Sequence, residues 1–281
     1  MADAKTIPTS ALNFTDEAFD IKRSDTYHLS ILTDGKNHAF SILDTISNKY
    51  LVLRSCSELP DGHFKSVSCA IAHNKFTLVP AALFDEENKK SFLGFNHEIK
   101  DEEEIFVNTL HTIDAKNIFT VPKSLTADIR KRFPNAHFIH SSTAFLDGLL
   151  AQHKNNTGKR VFANFTSSIH PAGEKTESYF EIALLEGKEL LFSNVFKYKT
   201  PEEIAYYVLF VYEQLDLNPD SVELILSGEI EKTAKEHTLL YTYIRNIRFA
   251  VRPEGFSYSY KFEEIPNHNF FSLFTQYLVT N

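Results

Sequence analysis

The sequence predicts an α/β protein made of two similar halves, each with a mixed β-sheet flanked by helices. Residues 160–281 read strand, strand, strand, helix, strand, helix, strand, helix from their apolar periodicity. Residues 25–154 also open with three strand-like runs, and they end strand, helix, strand, helix. A polar break at 155–159 separates the halves. We therefore predict a tail over 1–24, a first domain over 25–154 and a second over 160–281.

The first half begins with a predicted hairpin. Asp34-Gly35 lies between two β-rich runs, and this dipeptide favours a tight turn because glycine adopts positive φ at no steric cost. We expect Leu12, Phe14 and Phe19 of the tail to dock on the body of the protein. The three opening runs are Tyr27–Thr33, His38–Ile46 and Lys49–Cys56.

Further elements follow from local signals. The segment Ile105–Val121 is expected to form two strands split near Asp114, and a helix with one apolar stripe follows Pro122. Ser141–Thr143 offers N-cap residues for the helix Ala144–His153. In the second half, Thr200-Pro201-Glu202-Glu203 is a capping box that begins a helix. We also predict an aromatic strand or extended edge over 256–262.

Composition limits the classes of function. The net charge of −8 opposes phosphate-backbone binding, so we predict no nucleic acid partner. No apolar run approaches the ~20 residues of a bilayer span, and the N-terminus lacks signal-peptide features, so we expect a cytoplasmic protein. Cys56 and Cys69, the two cysteines, are expected to be buried and reduced.

Several clusters resemble catalytic or metal sites, but a structural role explains each of them better. The acidic run Asp101–Glu104 is typical of a solvated turn. His137 and His140 lie three apart on a predicted strand and so point to opposite faces. His140, Ser141 and Asp147 are too close in sequence for a catalytic triad, and no G-x-S-x-G motif accompanies them.

The repeated order of elements is the pattern of tandem ribonuclease-H-like domains, the architecture of actin-like ATPases. That architecture implies a nucleotide in the cleft between the halves, with ATP and Mg²⁺ as candidate cofactors. Asp34, Gly35 and Lys36 are the candidate phosphate turn, and Ser227 with Gly228 is the candidate adenosine turn. The second phosphate loop, 167–178, has only Gly173 and no Asp-x-Gly. One of the two phosphate loops of that architecture is therefore missing, which argues against ATP hydrolysis.

Five phrases of the sequence resemble one known family. They are Asn74–Pro80, Ile118–Pro122, Ile139–Leu146, Leu226–Ile230 and Tyr243–Ile247 with Phe249-Ala250. Together they are similar to the bacterial family called domain of unknown function 3822. The resemblance covers nearly the whole chain after the tail. It implies an actin-like ATPase fold and supplies no catalytic residues.

Three functional hypotheses follow. The first is a non-catalytic interaction or scaffolding protein with an unidentified protein partner and a degenerate nucleotide cleft. The second is an ATPase or kinase-like enzyme in which Asp34 orients a metal-bound water, Lys36 touches phosphate and Gly228 admits adenine. The third, ranked last, is a nuclease that uses Asp34 and Asp44, since such chemistry needs several carboxylates on two metals.

Overall fold

Two mixed β-sheets, one in each half of the chain, form the framework of the molecule. The computed structural model describes residues 12–35, 38–56, 58–110, 112–166 and 178–280. The elements of residues 12–153 are β1 (Asn13–Thr15), β2 (Tyr27–Thr33), β3 (His38–Asp44), β4 (Lys49–Cys56), β5 (Ser66–Ile71), β6 (Phe76–Pro80), α1 (Lys89–Gly94), β7 (Glu103–Leu110), β8 (Ala115–Pro122), α2 (Lys123–Arg132), β9 (His137–His140) and α3 (Ser141–His153). Those of residues 159–279 are β10 (Lys159–Thr166), β11 (Ser178–Glu186), β12 (Glu189–Tyr198), α4 (Pro201–Gln214), β13 (Glu223–Gly228), α5 (Lys235–Tyr243), β14 (Ile247–Phe249), β15 (Ser257–Tyr258) and α6 (Phe271–Val279).

The two sheets repeat one strand order. The main path of the first sheet is β1-β4-β3-β2-β5-β9, and that of the second is β12-β11-β10-β13-β14. In the first half β2 pairs antiparallel with β3 and parallel with β5. In the second half β10 pairs in the same way, antiparallel with β11 and parallel with β13. The predicted α/β fold with a mixed sheet in each half is thereby confirmed.

The first half departs from the second by an insert between β5 and β9. Strands β6, β8 and β7 form a small antiparallel sheet, with α1 on the connection from β6 to β7. The expected split near Asp114 is correct, since that residue has φ +49° between β7 and β8. Helix α2 then packs its apolar stripe against the first sheet through Leu125, Ile129 and Phe133. Residues 58–65, where the second half has a helix, contain neither helix nor strand.

The last helix of each half packs against the sheet of the other half. Helix α6 lies on β2, β3 and β5 of the first sheet, and α3 contacts β11 of the second. Leu273 and Phe274 of α6 are buried beside Leu32 and Ala70. Phe145 of α3 is buried in a cluster with apolar residues of β10, β11 and β13. The hydrophobic core therefore runs through both halves.

The N-terminal and C-terminal segments both pair with β4. Strand β1 adds to it antiparallel and β15 adds parallel. Leu12 is buried, Phe19 stacks on Tyr27 with ring centroids 5.7 Å apart, and Phe14 meets Phe262 edge-on. Docking of these tail residues agrees with the expectation. The predicted extended edge over 256–262 is wrong beyond β15, because a 3-10 helix occupies Tyr260–Glu264.

Candidate functional site

The glycine of the candidate adenosine turn is required by the fold itself. Gly228 ends β13 with φ +81°, a conformation that side chains rarely tolerate. A Cβ at this position would lie 2.0 Å from the carbonyl oxygen of Phe165 in the neighbouring strand. Close approach of two backbones therefore explains the glycine, with no need of a ligand.

The backbone amides of this turn donate to carbonyls of the same chain. Gly228 N–H donates to the carbonyl of His268 at 2.8 Å, and Glu229 N–H donates to that of Phe165 at 2.9 Å. The His268 ring nitrogen Nε2 in turn donates to the carbonyl of Ile230 at 2.8 Å. Each amide has one proton, so these donors are already used. Beside them, the Ser227 hydroxyl donates to Asn164 Oδ1 at 3.0 Å.

The candidate phosphate turn follows β2, and its contacts differ from those of the turn at Gly228. Gly35 has φ +96°, and its N–H donates to Thr33 Oγ1 at 2.9 Å. Apart from its chain neighbours, no described residue has an atom within 4 Å of the place where a Cβ of Gly35 would be. Burial lowers the pKa of His38, and the nearby Asp34 carboxylate acts in the opposite direction. Lys36, the remaining residue of this predicted turn, lies outside the described residues.

Asp34 and Asp44 do not form a common carboxylate site. Strands β2 and β3 pair Thr33 with His38 next to the turn and Tyr27 with Asp44 at the far end. Six residues of strand separate the two ends by roughly 20 Å. Asp44 instead accepts hydrogen bonds from Ile46 N–H and the Ser47 hydroxyl. No group of three or more His, Cys, Asp or Glu residues suited to a metal occurs in the described part of the chain.

Two histidines near the start of α3, His140 buried and His73 half-buried, use both ring nitrogens in structural hydrogen bonds. His140 Nε2 bonds to the carbonyl of His73 at 3.0 Å, and its Nδ1 accepts the N–H of Ser142 at 3.1 Å. His73 bonds to the carbonyl of Thr120 and accepts the N–H of Lys75. Burial lowers the pKa of both rings. A triad role for His140 is thus excluded, because neither of its nitrogens is available to a serine.

The N-cap residue of α3 is His140, which differs from the expected cap. The sequence predicted that Ser141–Thr143 would cap this helix, yet the imidazole of His140 does so through the N–H of Ser142. The Ser142 hydroxyl instead donates to Oε1 of Glu181, at 2.6 Å. This serine thus joins the first half to the second. Sequence reasoning missed it because its partner lies 39 positions away on another sheet.

Glu181 is a buried carboxyl group at the junction of the two halves. Its Oε1 accepts hydrogen bonds from Ser142 and from the Ser193 hydroxyl, at 2.6 and 3.1 Å. Burial raises the pKa of Glu181 to about 7, although both hydroxyls oppose this. Asp147 on α3 is also buried, and burial raises its pKa to about 7. Near neutral pH both carboxyl groups are therefore partly protonated.

Helices α3 and α6 cross at very short range. A Cβ on Gly148 would lie 2.5 Å from Cγ2 of Thr275. The Thr275 hydroxyl donates to the carbonyl of Ala144 at 2.7 Å. In addition, the Tyr50 hydroxyl of the first sheet donates to the carbonyl of Phe274 at 2.5 Å. Close packing and buried hydrogen bonds thus hold the two halves together.

Comparisons with known proteins identify the class of protein that this fold represents. A structure from Bacteroides thetaiotaomicron VPI-5482, a protein with actin-like ATPase fold and unknown function, is 24% identical over 83% of this chain and 93% of its own, with a TM-score of 0.72. A chain of the PilM–PilN type IV pilus biogenesis complex is 12% identical over 89% of this chain and 97% of its own, with a TM-score of 0.55. At these identities the likeness establishes the fold, which is that of the actin-like ATPases.

The chain belongs to the family described as "Protein of unknown function (DUF3822)", whose model matches residues 56–247. The resemblance inferred from the sequence is therefore confirmed. No curated protein matches the chain. In the described residues, no helix is both long and apolar enough to cross a membrane.

Proposed function

We propose that this chain is a non-catalytic interaction or scaffolding protein with an actin-like fold and a degenerate nucleotide cleft. The observation that carries the proposal is the packed turn at Gly228. Its amides donate to His268 and Phe165, and the carbonyl of Phe165 fills the space beside its Cα. A nucleoside approaching this backbone would have to break those bonds, and buried polar groups without partners are destabilising.

Two further observations support a role in protein assembly. The α3–α6 crossing at Gly148 and Thr275 fixes the halves against each other, as suits a protein that presents a constant surface. A neighbour with the same fold comes from a complex between two proteins, the PilM–PilN complex of type IV pilus biogenesis. That neighbour shows that the fold occurs in protein complexes. We infer an unidentified protein partner for this chain.

Calorimetric titration of the purified protein with ATP and Mg²⁺ tests the proposal. We expect no heat of binding up to millimolar nucleotide. Asp34→Ala is the informative variant, because it removes the half-buried carboxylate next to the exposed Gly35, and thermal unfolding of the variant checks that it is folded. Micromolar binding by the wild type that Asp34→Ala abolishes would overturn the proposal. An ATPase assay of the same two proteins would then measure turnover.

The second candidate is a nucleotide-binding ATPase or kinase-like enzyme that uses the cleft. Gly35 favours it, since no described residue other than its chain neighbours lies within 4 Å of its Cβ position and a glycine allows a phosphate to approach the backbone. In this alternative Asp34 orients a water held by Mg²⁺, and Lys36 contacts phosphate. The same titration separates the two candidates.

A further inference from the structure

Helix α4 carries a row of aromatic rings that runs from the second sheet to the surface. Phe196 of β12 stacks on Tyr207 with ring centroids 4.8 Å apart, and Tyr207 meets Tyr206 edge-on at 5.4 Å. Tyr206 in turn stacks on Phe210, one helical turn further on, at 6.1 Å. Tyr206 is 63% exposed and Phe210 is 41% exposed. These contacts place the two exposed rings side by side on the outside of the helix.

Two exposed carboxylates flank these rings along the same side of the helix. Glu202 lies four residues before Tyr206, and Glu213 lies three residues after Phe210. Side chains at these spacings are neighbours on a helix. In the described part of the chain, neither carboxylate forms an ion pair. We name Glu202, Tyr206, Phe210 and Glu213 the α4 face.

The α4 face lies in a stretch of chain without cations. Residues 200–231 contain no lysine, arginine or histidine. The last turn of α4 accordingly has no basic residue, although its carbonyl groups carry partial negative charge close to Glu213. Cations on the adjoining segments, none of which forms an ion pair with the α4 face, are Lys197, Lys199, Lys232, Lys235 and Arg245. A cation supplied from outside the chain would therefore be stabilised at this end of the helix.

We propose that the α4 face docks a basic amphipathic helix of a partner protein. Its apolar side chains cover Tyr206 and Phe210, and its arginine or lysine residues face Glu202 and Glu213. These carboxylates are eleven residues apart, about 16 Å along the helix axis, so the cations of the partner stand about three turns apart. An arginine between them also gains from contact with the aromatic rings. The inference names the partner class for the interaction role proposed above and rests on that role.

The same charges disfavour other occupants. Antiparallel packing of α4 on a second copy, with Tyr206 of one copy against Phe210 of the other, would bring Glu202 of the first towards Glu213 of the second. Like charges that face each other in an interface oppose association. The phosphate groups of nucleic acids and anionic lipids are repelled by the same carboxylates.

Fluorescence anisotropy with two labelled helical peptides tests this face on the full chain. One peptide combines leucine with arginine, and the other has the same leucines with glutamate. We expect binding of the arginine peptide alone, and weaker binding at high salt. Tyr206→Ser and Phe210→Ser should each weaken binding at least about tenfold. Tyr260→Ser is the matched control, because Tyr260 is 60% exposed and contacts Glu17 of the N-terminal segment, so binding should not change.

Reversal of the two charges tests the electrostatic part of the inference. The double variant Glu202→Lys with Glu213→Lys should lose the arginine peptide and bind the glutamate peptide instead. Glu263→Lys with Glu264→Lys is the control, because it changes the net charge by the same amount at two exposed positions near Tyr260. This control should keep the preference of the wild type.

Four results would overturn the inference. They are no binding of the arginine peptide, equal binding of both peptides by the wild type, equal loss with Tyr206→Ser and Tyr260→Ser, and an unchanged preference after charge reversal at Glu202 and Glu213. Sedimentation velocity adds a fifth, since a wild-type dimer that Phe210→Ser dissociates would identify a second copy as the occupant. Thermal unfolding checks that each variant is folded, and the charge-reversed variant decides the question if Phe210→Ser is not. ATP titration is read separately, so failure of this surface is distinguishable from failure of the proposed function.

Discussion

Replacing Glu181 by glutamine tests the buried junction between the two halves. Glutamine keeps an acceptor for the hydroxyls of Ser142 and Ser193 and has nearly the same shape. The pKa of Glu181 rises from its ordinary value of 4.5 to about 7 on folding, and burial is the main cause. Between these values the folded state binds more protons than the unfolded state. Wild-type stability therefore falls as pH rises through this window and levels off above it.

The size of the effect follows from the shift. Linkage over a change from 4.5 to about 7 makes the Glu181 contribution roughly 2–3 kcal/mol less favourable at pH 8 than at pH 5. The glutamine variant does not titrate. It should therefore gain roughly 2–3 kcal/mol over the wild type between those pH values. Asp147 titrates in both proteins and cancels in the comparison, provided that the two sites are independent.

Urea unfolding of both proteins at pH 5 and pH 8 measures the difference. Glu186→Gln, at the exposed end of the same strand, is the control and should give the same difference from the wild type at both pH values. A Glu181→Gln advantage that changes by less than about 0.5 kcal/mol between the two pH values would refute the reasoning, since surface substitutions give effects of that size. Glu181 would then be ionised in the folded protein, with a charged partner or solvent close by.

Three other predictions concern close packing and burial. Gly148→Ala should destabilise the chain by about 1–3 kcal/mol in urea unfolding, because the added methyl group would overlap Thr275. Adding Thr275→Ser, which removes Cγ2, should restore part of the lost stability. If stability does not recover, the clash is not with Cγ2 of Thr275. Gly228→Ala should lower the Tm markedly, because its Cβ would lie 2.0 Å from the carbonyl of Phe165, and an unchanged Tm would disprove that packing. Burial raises the pKa of the Cys69 thiol to about 12. This thiol should therefore resist maleimide at pH 8 in the folded protein and react in denaturant. Mass spectrometry of the peptide that contains Cys69 measures the reaction.

The parts of the fold that depend on short-range signals could be predicted from the sequence. The capping box at Thr200 predicted the start of α4, and the Glu203 N–H does donate to Thr200 Oγ1 at 3.3 Å. Likewise, the turn dipeptide at Asp34-Gly35 predicted the hairpin of β2 and β3, where Gly35 has positive φ. Such features depend on a few consecutive residues, so the sequence contains all that is needed to recognise them.

Other features depend on residues far apart in the chain. Pairing of β15 with β4 and the hydrogen bond from Tyr50 to Phe274 join positions about two hundred residues apart. No local pattern marks either of them. Gly228 shows the same limit at the candidate site, because a glycine after a strand fits both a ligand turn and a close backbone contact. The position of the Phe165 carbonyl distinguishes these roles, and the sequence cannot supply it.

The packing of each terminal helix on the sheet of the other half bears on the proposed function. A rotation of one half against the other that slid α3 along α6 would break the contact between these helices. Their crossing leaves no room for a Cβ at Gly148, and it is fastened by the hydroxyl of Thr275. Each helix also lies on the opposite sheet, so sliding it would disturb both cores. Packed cores resist continuous deformation, and large shifts need a second stable arrangement. This packing agrees with the proposed scaffolding role, because two halves held firmly together present a constant surface to a partner.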